Sequence, residues 1–350
     1  MLTTSDVLLG LLLPLLLMTG AVFVAGACSR HVDARASLWR SRAVVCAGLT
    51  IVFVLGWVVL FGVPTQVPPL LATDWVVFVL PALACFGLLD ARLTLPPPAR
   101  IGAVMFLAGL SAWCVMKPLV DARTVAPSQG ATAMTAITLL SVLWWASVEL
   151  LEKRGQSSRA AGTVPADNPP TSTDNPLISA RNPLTSAGVL MVLSVSIAVV
   201  LLLSGSQSLG QKAGVLGASM TGVVIGLLLF IRRATPAPAG SNDVTRANSP
   251  SFSLAHGATV VVVVGVVLLL ASGVFYAVPG VWWFNVMLLA CVPLFPWLAE
   301  LPFIRRHTDG RAFRSALVRI GLAALPATVA VVLAVVRFVN ALSDDPYAGY

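Results

Sequence analysis

Apolar residues run through this chain in long unbroken blocks, without the alternation of a half-buried strand or the narrow stripe of a surface helix. A helix needs about 20 mostly apolar residues to cross a hydrocarbon core of about 30 Å. Ten blocks qualify, at residues 7–28, 43–62, 70–89, 101–120, 132–151, 187–204, 215–231, 259–278, 281–301 and 316–342. Backbone in lipid must satisfy its own hydrogen bonds, so each block is predicted to be a helix and the fold all-α, a polytopic membrane bundle of ten spans. The first block ends in Ala25-Gly26-Ala27-Cys28, which resembles a cleavage box. Positions 1–6 carry no Lys or Arg, and the block exceeds a signal peptide's apolar region of about 7–15 residues, so it is read as a retained span.

Two polar segments interrupt the blocks, 155–183 and 234–255, both rich in Pro, Ser and Asn and too polar to pack. Read as disordered cytoplasmic linkers, they divide the chain into 1–154 with spans 1 to 5, 184–233 with spans 6 and 7, and 256–350 with spans 8 to 10. In the first linker Asn168-Pro169, Asn175-Pro176 and Asn182-Pro183 recur every seven residues. They form a candidate docking motif for a protein partner, against the plainer reading of low-complexity drift.

Composition changes the picture only by naming the solvent. Hydrophobic residues make up 57% and charged residues 10%, with mean hydropathy +0.91. A water-soluble domain carries about 25% charged residues, so the surrounding medium is the lipid bilayer. A net charge of +8 would suggest nucleic acid in a soluble protein. Here the basic residues lie in short segments between spans, where they set orientation, and no nucleic-acid partner is indicated. Eighteen of the 22 Lys and Arg follow odd-numbered spans, leaving Lys117, Arg123, Lys212 and Arg337 on the other side. The crowded side is therefore cytoplasmic and both termini are outside, as in a multi-pass protein of a bacterial inner membrane. Segment 302–314 interleaves Arg with Phe303, Ile304 and Phe313, as expected of a stretch lying on anionic lipid headgroups at the cytoplasmic face.

The first and last thirds share short collinear matches. Met18-Thr19-Gly20 matches Met220-Thr221-Gly222; Ala84-Cys85 before Asp90 matches Ala290-Cys291 before Glu300; Arg100-Ile101-Gly102 matches Arg319-Ile320-Gly321. Spans 1–4 thus pair with spans 7–10. An even shift of six spans makes this a parallel repeat, unlike the antiparallel halves of inverted-repeat transporters.

No chemistry-bearing motif stands out. The five cysteines form no CxxC pair, no metal or cofactor set is visible, and no G-x-S-x-G or histidine-centred catalytic arrangement appears. What remains are polar residues in costly places. Lys117 and Arg337 lie roughly 25 Å beyond Arg100 and Arg319, near the outer interface. There they either snorkel to headgroups or, with Lys212, line a mouth for a small or anionic substrate. The outer turn between spans 6 and 7 adds Ser206, Gln207 and Gln211 as hydrogen-bonding candidates, or is simply a solvated turn. Asp90, Glu149 and Glu300 sit at cytoplasmic span ends near Arg or Lys: Arg92 beside Asp90, Lys153 and Arg154 beside Glu149, Arg305 and Arg306 beside Glu300. They are read as interfacial ion pairs, with proton coupling as the sharper alternative. Pro14, Pro81, Pro293, Pro296 and Pro326 lie inside spans and can kink their helices, with Pro293 and Pro296 flanking the stretch before Glu300. These features favour a transporter or permease-like bundle, with a non-enzymatic membrane organiser that docks partners through its linkers as the alternative, and a lipid-modifying enzyme as the weakest reading.

Overall fold

The computed structural model describes residues 8–28, 34–63, 72–93, 95–160, 176–233, 254, 257–276, 281–308 and 312–343. Both chain ends, Asn168-Pro169 and nearly all of 234–255 lie outside the described residues. Every regular element among the described residues is helical. A π-turn, Leu8–Leu12, leads into α1 (Leu13–Cys28); then follow α2 (Ala34–Phe61), a 3-10 turn (Ala72–Asp74), α3 (Trp75–Leu93), α4 (Pro97–Asp121), α5 (Pro127–Ala160), α6 (Pro176–Leu203), α7 (Gln207–Arg233) and α8 (Ala258–Tyr276). The last third holds α9 (Trp283–Cys291), a 3-10 segment (Phe295–Glu300), α10 (Pro302–Thr308) and α11 (Ala312–Ser343).

Nine helical stretches among the described residues are long and apolar enough to cross a membrane, and the N-terminal one, Gly10–Gly26, is apolar but shorter. Helix also reaches into the first polar segment from both sides, since α5 continues to Ala160 and α6 starts at Pro176. Span 9 is not one helix. Its α-helix stops at Cys291, and the bonds that follow, such as Leu294 N to Cys291 O at 2.9 Å and Trp297 N to Leu294 O at 3.0 Å, close three-residue turns. Pro293 and Pro296 lack the N–H that an i to i−4 ladder requires, which accounts for the break.

The core is built around α8, which packs against α2, α3, α4, α5, α6 and α7. Every α8 residue from Ala258 through Gly273 is buried, a Val- and Leu-rich run with no polar face. Several buried hydroxyls satisfy themselves: Thr50, Ser141, Ser219 and Ser272 each donate to the carbonyl four residues back, at 2.8–3.0 Å. Such back-bonding removes polar edges from the helix contacts. The periphery has the opposite character, with Leu16, Ile51, Phe106, Leu139, Leu325 and Val332 exposed. A belt of apolar side chains around an apolar core fits helices solvated by lipid. Spans 2 and 8, paired by the expected repeat, sit differently, because α2 keeps Ile51, Leu55 and Val59 on the exterior while α8 is enclosed.

Glycines on α7 set the closest helix approaches. A Cβ on Gly222 would lie 2.5 Å from the Leu15 carbonyl oxygen, and one on Gly226 2.8 Å from Val22 Cβ, so α1 lies directly on α7 backbone. Thr19 Oγ1 donates across this contact to Gly222 O at 3.2 Å. On another face, Gly210 and Gly217 admit Leu202 and Val195 of α6. Gly210 thus serves the α6 contact, while the tighter Gly222-xxx-Gly226 pair carries α1.

Gly222→Leu is therefore expected to destabilise the folded protein by about 1–3 kcal/mol through overpacking. Gly20→Ala, where an added Cβ meets nothing within 4 Å, serves as the neutral control. Thermal unfolding of the detergent-solubilised protein separates the two, and equal midpoints would contradict the α1–α7 contact.

Candidate functional site

Charged side chains concentrate at one end of the bundle, where α3 finishes, α4 begins and α5 passes between them. Asp90 lies in the last turn of α3 and Arg100 in the first turn of α4, beyond a Pro-rich corner whose Pro97 and Pro98 start the helix. Arg100 Nε lies 2.6 Å from Asp90 Oδ2, and Arg100 Nη1 donates to Glu149 Oε1 on α5. Glu149 Oε1 also accepts from Lys153 Nζ, one turn further along α5, at 2.7 Å. The Arg100 guanidinium carbon sits 5.3 Å from the Trp145 ring centroid, so one face of the cation rests on an indole. Arg42, on α2, feels the charge of Glu152 most strongly, then those of Arg100, Asp90 and Glu149.

The cluster thus joins α2, α3, α4 and α5 through Arg42, Arg100 and Lys153 against Asp90, Glu149 and Glu152, and the formal charge of these six described residues is zero. Asp90, Arg100, Glu149 and Glu152 are all at most 4% exposed. Burial at this depth is tolerable only because the charges pair with one another. Arg100 Nη2 and Glu149 Oε2 still find no hydrogen-bond partner among the described residues. Next to Trp145, Trp144 turns elsewhere and donates from Nε1 to the Ala290 carbonyl of α9 at 3.0 Å.

A second acid–arginine pair holds the end of the broken span. Glu300 Oε1, closing the 3-10 segment, accepts from Arg319 Nη2 on α11. Asp90 with Arg100 and Glu300 with Arg319 are the residues placed opposite one another by the short sequence matches. Asp90 therefore reaches across to the following helix and Glu300, past the short α10, to α11, whereas Arg92, Arg305 and Arg306 are the sequence neighbours read as their partners. The reason at Asp90 is geometric: residues two apart on a helix do not face each other. The expected Glu149–Lys153 pair is present.

At the opposite end of the helices Lys212 is buried, although it belongs to the first turns of α7. Its ammonium lies 3.8 Å from the Trp57 ring centroid, 4.9 Å from that of Phe61 and 3.5 Å from Asp74 Oδ1. The turn before α7 is shorter than its polar composition suggests. Three residues, Ser204, Gly205 at φ 85° and Ser206, separate α6 from α7, and Gln207 and Gln211 are already helical. Gln207 is exposed, Ser206 and Gln211 half-buried. Lys117 is 48% exposed, pairs with Asp121 at 2.8 Å and lies 5.7 Å from the Trp113 ring; Arg337 is exposed on α11. Lys117 and Arg337 therefore look outward from the bundle, while Lys212 looks inward.

Among the described residues no group of three or more His, Cys, Asp or Glu is arranged to hold a metal ion. The chain matches no family model, no curated protein and no solved structure, so its site is read from its own residues.

Arg100, Arg42, Glu152, Asp74, Trp57 and Phe61 are absent from the candidates chosen from sequence. Arg100 was legible as a cytoplasmic anchor, but only the α3–α4 corner puts it between two carboxylates. Arg100→Ala leaves Asp90 and Glu149 buried without their shared counter-charge and is expected to cost about 3–5 kcal/mol. The combined change Arg100→Met, Asp90→Asn and Glu149→Gln should recover much of that loss, while Lys117→Ala costs less than about 1 kcal/mol. Unfolding midpoints test the series, and a harmless Arg100→Ala would refute a paired cluster.

Proposed function

We propose that this chain is a permease-type bundle of a bacterial inner membrane, closed at its cytoplasmic end by the Arg100 cluster. The coarse part stands without the proposal: many long apolar helices fit a polytopic membrane protein. The observation that carries the finer reading is the buried, charge-balanced cluster spanning four helices at the end with excess Lys and Arg. Ionisable groups kept inside a membrane bundle are costly and mark pathways or relays more often than ornament. Because its formal charge is zero, the cluster can part into water and re-form without leaving an isolated charge behind. Asp90 and Glu149, held within this set, are the candidates for proton coupling, and Glu300 is the corresponding acid beside the helix break.

Ten spans, with Leu8–Leu12 and α1 forming the first, keep the eighteen-to-four asymmetry of Lys and Arg and place both termini outside. The parallel repeat is supported by the two acid–arginine pairs and is confined in this reading to the span ends. At the outer end, Ser206, Gln207, Gln211, Lys117 and Arg337 form the rim met by a small solute. At the inner end, exposed Phe303 and Phe313 beside Arg305, Arg306 and Arg314 suit anionic headgroups.

The enclosed, self-satisfied core around α8 favours a second reading, a membrane organiser whose segment 155–183 docks a protein partner. Single cysteines at Ala108 and Ala112 on α4 and at Leu216 and Met220 on α7, in a background lacking the five native cysteines, discriminate the two. A thiol reagent that cannot cross the membrane is expected to label one of these buried positions from each side. No labelling at any of them, with loss of function on deleting 161–175, would replace transport by organisation.

A further inference from the structure

Lys212 is held in an unusual way for a buried lysine. An ammonium has three N–H donors, yet Asp74 Oδ1, at 3.5 Å, is the only side-chain acceptor it reaches among the described residues. What surrounds it instead is aromatic: Trp57, 2% exposed, and Phe61, whose centroids lie 5.5 Å apart on one face of α2. The ring faces approach the nitrogen at 3.8 and 4.9 Å. Two π-faces and a distant carboxylate form a poor site for a group that needs three hydrogen bonds. They form a good one for a cation without N–H groups, whose charge is spread over methyl groups and is attracted by ring quadrupoles.

Lys212 also has somewhere to go. It lies in the second turn of α7, close to the outer end of the bundle, and its four-carbon stem can carry the charge to the headgroup level. Asp74, on the 3-10 turn before α3, is 28% exposed and gives the box an opening towards the outer surface. Exchange would bring one buried charge into water and take in another that fits better.

We propose that Trp57, Phe61 and Asp74 form a binding site for a quaternary or methylated ammonium compound, with Lys212 as its tethered occupant. The site goes beyond the transport reading, because binding requires no solute to cross. Displacement frees α7 from its charged contact with α2 and Asp74, so the ligand also unlatches the outer end. Since the resident cation must leave first, apparent affinity in the intact protein is reduced by the fraction of time the box is vacant.

The test uses the full chain in detergent with tetramethylammonium chloride as probe and sodium chloride at equal ionic strength as blank. Saturable binding by calorimetry is expected, at least tenfold tighter in Lys212→Ala, and lost when Trp57→Leu or Asp74→Asn is added to that variant. Ethylammonium, with its three N–H donors, should bind at least fivefold more weakly than tetramethylammonium. A second measurement needs only the unaltered chain: the probe should accelerate acetylation of Lys212 by a water-soluble amine reagent several-fold, read by mass spectrometry. No saturable binding in either form together with an unchanged Lys212 acetylation rate overturns the proposal. So does binding that Trp57→Leu leaves intact, which would place the cation elsewhere. Cysteine labelling of α4 and α7 reports on transport separately, so the two ideas fail independently.

Discussion

A guanidinium taken out of water must meet its counter-charges where it is put, because no solvent remains to screen it. Arg100 meets two of them, one on the helix that precedes it and one on the helix that follows. This requirement places the end of α3, the start of α4 and the last membrane-level turns of α5 within reach of a single side chain. The Trp145 ring beneath the cation and Lys153 beside Glu149 are consequences of the same demand. Elsewhere the bundle can be assembled from interchangeable Val, Leu and Ala, where many registers pack almost equally well. At Arg100 only one register leaves no charge alone, and that uniqueness is what polar groups in an apolar core can contribute.

Away from the charges, proximity is set by what side chains are missing. Gly222 and Gly226 let α1 approach α7 so closely that Thr19 bonds to backbone across the interface. Lipid offers apolar surface as attractive as any neighbouring helix, so close contact and the few available hydrogen bonds must hold helices together. The bundle therefore uses two kinds of fastening, glycine contacts along the middle of α7 and ionic contacts at the ends.

The helices were almost entirely legible in the sequence, because a span announces itself by length and continuous hydropathy. The helical stretches follow the apolar blocks closely, and of the prolines expected to kink spans, Pro293 and Pro296 lie at the break in the ninth while Pro81 and Pro326 lie inside continuous helices. Helix ends were harder. Polar residues in 155–160 and 176–182 continue neighbouring helices, since a helix leaving the bilayer needs no apolar face to persist. The cluster was legible by membership but not by pairing: Asp90 and Glu149 stood out as acids in costly positions, while Arg100 was counted among orientation signals. Which acid meets which base depends on how the α3–α4 corner turns, and no one-dimensional spacing encodes that angle. Lys212 was chosen for its charge at an outer turn, and its inward direction became visible only with the Trp57 and Phe61 faces in place. These two rings lie one helical turn apart on α2.

Consecutive residues on a helix point about 100° apart, and α5 uses that angle between Trp144 and Trp145. One indole is bonded to the Ala290 carbonyl, just before the broken part of the ninth span. The other lies under the Arg100 cation. A small roll of α5 about its own axis would therefore disturb both contacts together, in the manner of a camshaft with two lobes. The ionic cluster and the end of α9 thus bear on adjacent residues of one helix.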